Sequence, residues 1–134
     1  MYYIEKTFEM SSAHRLCELP GTHKCNALHG HNFEVTIVVG AEVLDDTGFV
    51  IEFSELARIV DDRVLRYLDH HDINEAFRDL KGGQDLTFQP TAERMARWIS
   101  HQVFDELPDR CIVKRVIVRE TEHSAAVWEY DANS

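Results

Sequence analysis

Near the N-terminus, apolar side chains recur at every second position. Over residues 2–12, Ile4, Phe8 and Met10 take one face and Tyr3, Glu5, Thr7 and Glu9 the other, with Lys6 interrupting the apolar row. That pattern predicts a half-buried strand. Over residues 31–41 the alternation is cleaner: Phe33, Val35, Ile37 and Val39 share a face, and Asn32, Glu34 and Thr36 point away. "DDTG" at 45–48 reads as a turn. After it, Leu56, Ile59, Val60, Val64, Tyr67 and Leu68 form one helical stripe, which predicts a helix over 55–68 with Ser54 as its N-cap. Residues 72–90 hold Gly82, Gly83 and Pro90 without a sustained period, the pattern of a loop. Thr91 then caps a second helix carrying Met95, Ala96, Ile99 and Val103, with Pro108 just beyond its end. Two more strands are expected at 111–120 and 125–130.

The order strand, strand, helix, helix, strand, strand predicts an α+β fold with an antiparallel four-stranded sheet and both helices on one face. A chain of 134 residues with 44% hydrophobic side chains suffices for one core, so residues 1–134 are read as a single domain. Four strands covered on one face leave two open edges, which are expected to pair between subunits. The acidic balance, 24 Asp and Glu against 14 Lys and Arg for a net charge of -10, argues against a nucleic-acid partner. Charged residues interrupt the N-terminal apolar run and no stretch is long enough to span a membrane, so a cytoplasmic protein is expected. Three cysteines cannot all pair within one chain, and thiols are expected.

Chemistry concentrates in "HKCNALHGHNFEV", residues 23–35. Strand alternation sends His29 and His31 to the side that bears Phe33 and Val35, with Gly30 between them expected to permit close backbone packing. On the first strand His14 has the parity of Phe8 and Met10. If the two strands pair, three imidazoles converge, and three nitrogens with no fourth ligand suit a catalytic Zn2+ with an open position. Cys25 lies beside His23 and Lys24, which could favour its thiolate and make it a base. Cys17 and Cys111 read as ordinary small hydrophobes.

"YLDHHDIN" offers Asp69 and His70 as a carboxylate–imidazole pair, although a histidine there also suits a helix C-terminus, and His71 is an alternative partner. Glu120 has the parity of Val116 and Val118, so its carboxylate either has a buried partner or awaits a ligand with a guanidine-like edge. A cupin-type iron site also uses H-x-H on a strand, but Glu34 stands too close to His31 and on the opposite face. A non-enzymatic zinc-binding assembly protein is a further reading of the same histidines.

Taken in order, "SSAHRL", "CNALHGHNF", "TGFVIEFSEL", "LDHHDIN", "PTAE" and "VRET" resemble the 6-pyruvoyl-tetrahydropterin and 6-carboxy-tetrahydropterin synthase family over nearly the whole chain. The resemblance implies the tunnelling fold, with subunits joined edge to edge into a barrel and trimers stacked into a homohexamer. It also implies zinc at His14, His29 and His31, Cys25 as catalytic base, Asp69 and His70 as proton relay, and Glu120 as the pterin anchor. The substrate it implies is 7,8-dihydroneopterin triphosphate. Three residues separate Cys25 from His29, as in the bacterial carboxy-type enzymes of queuosine synthesis, and the pyruvoyl-type reaction is the alternative. For so anionic a substrate, Lys24 and Arg15 are the candidate local cations.

Overall fold

The computed structural model describes residues 1–16, 19–21, 23–78 and 89–133. Cys17, Gly82 and Gly83 lie outside the described residues. Four strands, β1 (Tyr2–His14), β2 (His29–Ala41), β3 (Cys111–Thr121) and β4 (Ser124–Glu129), form one antiparallel sheet in the order β1-β2-β3-β4. A single 3-10 turn, Lys24–Asn26, precedes β2. Between β2 and β3 stand α1 (Phe53–Val60), which continues through a π-helical stretch, Asp61–Leu65, into α2 (Arg66–Leu68), then α3 (Ile73–Ala76) and α4 (Ala92–Phe104).

The apolar rows read from the sequence form the core. Phe8 and Met10, then Phe33, Val35, Ile37 and Val39, pack with Val113, Val116 and Val118 against Leu56, Ile59, Val64, Met95, Ile99 and Val103, all buried. Lys6 is tolerated in its row because its ammonium rises over the Phe8 ring, 5.9 Å from the centroid. Thr91 does cap α4, its hydroxyl accepting from Arg94 N at 3.2 Å. Among the described residues, no helix is long and apolar enough to cross a membrane.

Three local expectations need correction. The N-cap of the first helix is Glu52 and not Ser54, which lies inside the helix with its hydroxyl 3.4 Å from Glu52 Oε2. The stretch assigned wholly to a loop contains α3, a helix too short to show a period, capped by Asp72 through Glu75 N at 3.4 Å. Gly30 is not a close-packing site, since a Cβ there would meet only Ser12 O at an ordinary 3.6 Å. The close approach is at Gly40, where a Cβ would stand 2.8 Å from the ring of Tyr3, its cross-strand partner.

Candidate active site

The β1–β2 register builds the site at one end of the sheet. It sets His14 directly opposite His29 and Ser12 opposite His31, and alternation turns all three imidazoles to the core side. Ring centroids are 4.6 Å apart for His14 and His29, 4.9 Å for His29 and His31, and 5.4 Å for His14 and His31. Phe33 stands edge-on beneath two of them, 5.2 Å from His31 and 5.7 Å from His14. One nitrogen from each ring comes within 4.8 Å of the others.

Backbone carbonyls orient two of the rings. His14 Nδ1 donates to Pro90 O at 2.8 Å, and His29 Nδ1 to Ala27 O at 2.9 Å. A hydrogen fixed on Nδ1 leaves Nε2 as a lone pair, the arrangement that metal-ligating histidines adopt. His14 is 1% exposed, and its Nε2 is buried without a hydrogen-bond partner. An orphan of that kind costs ~1–3 kcal/mol. Burial lowers the His14 pKa, and the neighbouring His29 and His31 act in the same direction against the Pro90 bond and Glu120. The ring is thereby kept neutral, as a ligand must be. The residues present therefore fit a metal ion, and the donor set is three nitrogens with no thiolate or carboxylate among the described residues.

Cys25 is half-buried on the turn Lys24–Asn26, which is tied to the exit of β1 by Leu16 N donating to Cys25 O at 2.7 Å. Asn26 anchors the same turn, its amide bonding Leu19 O at 3.2 Å and Gly21 O at 3.3 Å. His23 Nδ1 accepts from Cys25 N at 3.1 Å, and Lys24 is the lysine next to the thiol. Cys111 is the inert thiol the sequence suggested: it is buried, its Sγ donates to Val50 O at 3.3 Å, and burial pushes its pKa up.

Asp69 and His70 form a pair, with Asp69 Oδ1 3.0 Å from His70 Nδ1 and accepting Ser11 N at 2.9 Å. His70 takes a left-handed backbone, φ 59°, held by its N–H donating to Ser11 O at 2.6 Å. His71 is turned back, its Nδ1 donating to Asp69 O at 2.7 Å, so His70 is the imidazole that meets the carboxylate. The pair walls a concavity with Glu9, Ser11, Asn32 and Glu34, on the polar face of the sheet, while His70 also reaches the rim of a second concavity that includes His31. His70 is 80% exposed.

Glu120 lines a concavity with Ala92, Glu93 and the β4 residues Ser124, Ala125, Ala126 and Val127. It is half-buried, and among the described residues nothing hydrogen-bonds its carboxylate. Arg15 and Lys24 are exposed and join no ion pair among the described residues.

A small antiparallel sheet with helices on one face and three imidazoles at one end defines a protein of the tunnelling-fold class with a candidate metal centre. Residues 3–131 match the profile of 6-pyruvoyl tetrahydropterin synthase, and the chain belongs to that family. It is 35% identical over 103 residues to the 6-carboxy-5,6,7,8-tetrahydropterin synthase of Synechocystis sp., covering 74% of this chain and 72% of that protein. It is 30% identical over 132 residues to the enzyme of the same name from Bacillus subtilis, covering 95% of this chain and 84% of that one. Its fold is similar to that of 6-pyruvoyl tetrahydropterin synthase from Caenorhabditis elegans, with a TM-score of 0.78 at 22% identity over 97% of this chain and 96% of that chain. The family is one of lyase-type tetrahydropterin synthases that act on pterins.

Proposed function

We propose that this chain is a zinc-dependent 6-carboxy-5,6,7,8-tetrahydropterin synthase. It converts 7,8-dihydroneopterin triphosphate and water to 6-carboxy-5,6,7,8-tetrahydropterin, acetaldehyde and triphosphate, in the route to queuosine and related deazapurines. The observation that carries the reading is the buried, unpartnered Nε2 of His14, converging with His29 and His31 in a chain of this family. The carboxy-type is favoured by the three residues between Cys25 and His29 and by the relatives of that name.

Zinc held by His14, His29 and His31 would supply Lewis-acid polarisation of the oxygens on the substrate side chain. Cys25, on the turn beside Lys24, takes the proton from the side-chain carbon next to the ring. Asp69 fixes the hydrogen of His70 on Nδ1, which leaves Nε2 free to take up and return protons as the double bond migrates into the ring. The 80% exposure of His70 fits a pair that a neighbouring subunit can also use, and the working unit in this reading is an oligomer, a hexamer of two stacked trimers as the family resemblance implies. The two oxygens of Glu120 accept the paired N–H donors of the aminopyrimidinone edge. Arg15 and Lys24 face the triphosphate, their local charge outweighing the net charge of -10.

Glu120→Gln tests the substrate side of this assignment without touching the metal. One acceptor oxygen becomes a donor, so a hydrogen bond to an anion is replaced by a clash of donors, worth ~1.5–3 kcal/mol. The expected result is a KM for dihydroneopterin triphosphate raised about 10- to 100-fold with zinc content unchanged. An unaltered KM contradicts the anchoring role.

A further inference from the structure

The outer edge of β1 is covered where it carries its metal-ligand candidate. Residues 68–74 run along it: Ser12 Oγ donates to Leu68 O, His70 N to Ser11 O at 2.6 Å, and Ala13 N to His71 O at 3.0 Å, with Ala13 and Asp72 forming a parallel bridge. The last rung is supplied by a side chain. Asn74 Oδ1 accepts Arg15 N at 2.9 Å and Asn74 Nδ2 donates to Arg15 O at 3.1 Å. Asn74 is 7% exposed and sits in the first turn of α3, behind the Asp72 cap, so its amide has a fixed origin. It satisfies both backbone groups of the residue directly after His14, as a neighbouring strand would.

We propose that Asn74 is a positioning residue of the metal centre: by clamping the backbone at Arg15 it holds His14 in range of His29 and His31, and it ties that strand to the segment bearing Asp69 and His70. The His14 ring is fixed at one point by the Pro90 carbonyl, so the direction of its Cα–Cβ bond is what the clamp controls. A buried amide that merely caps a strand end contributes to folding stability. A positioning amide also changes how tightly the three nitrogens bind an ion; contacts made directly to a ligand's ring carry about 10- to 100-fold in metal affinity, and a clamp on the adjacent backbone acts through the same ring placement.

The inference rests on reading the three imidazoles as a metal site, so the experiment separates the two. Zn2+ affinity of the full chain is measured by competition with a chromophoric chelator, without substrate, alongside thermal unfolding of the metal-free protein. Asn74→Ala is expected to weaken zinc binding about 10-fold or more. Asn74→Asp, which keeps the acceptor for Arg15 N and loses the donor, should fall between it and the wild type, and carries the test if the alanine variant does not fold. Ile99→Val, buried in α4 away from the site, should melt earlier with zinc affinity unchanged. Wild-type affinity in both Asn74 variants, or an equal loss in Ile99→Val, overturns the inference. A wild-type chain that binds no zinc overturns the metal reading itself, and the positioning role with it.

Discussion

Alanine at His14, His29 or His31 is expected to strip the chain of zinc. Elemental analysis should find about one zinc per wild-type chain and close to none in each variant, with turnover lost in parallel. The centre has three protein nitrogens, so each replacement removes one of the three anchors rather than trimming a redundant shell. Binding energies of ~10–16 kcal/mol for four-ligand zinc sites imply about 2.5–4 kcal/mol per ligand, a loss of roughly a hundred- to a thousandfold in affinity. His14 is the most informative position. Without metal, its buried Nε2 is a destabilising orphan, so the wild type should gain thermal stability on adding zinc and His14→Ala should gain none. Full metal content in all three variants contradicts the ligand assignment.

Cys25→Ala separates the proposed base from the proposed metal site. The thiol lies outside the group of three ligand nitrogens, so the variant should hold zinc like the wild type. Turnover should fall by ~100-fold or more, the usual scale for a missing general base. Unchanged turnover removes Cys25 from the scheme. Loss of zinc makes it a ligand and the centre a closed one, against the reading of an open site.

Much of this site is written in period-two alternation. His29, His31, Phe33 and Val35 have one parity and His14 shares the parity of Met10, so the face of each imidazole follows from position alone. Their convergence depends on register, which a sequence does not print: a one-residue slip would carry His14 to the polar face. The carbonyls of Pro90 and Ala27 that orient two rings have no side-chain signature at all. The same holds for the choice between His70 and His71, which turns on a left-handed φ and a bond to a main-chain oxygen. The sequence does not show that His23 serves as an acceptor, which follows from the tight 3-10 turn pointing the Cys25 N–H back at its ring. Asn74 has no signature in the sequence, since a buried asparagine and an exposed one read alike until the strand it clamps is in view.

The most direct test is to incubate the zinc-loaded chain with 7,8-dihydroneopterin triphosphate and identify the products by mass spectrometry. The account predicts 6-carboxy-5,6,7,8-tetrahydropterin, with acetaldehyde and triphosphate formed in equal amounts. A pterin that keeps all three side-chain carbons, or substrate left unconsumed, would contradict it.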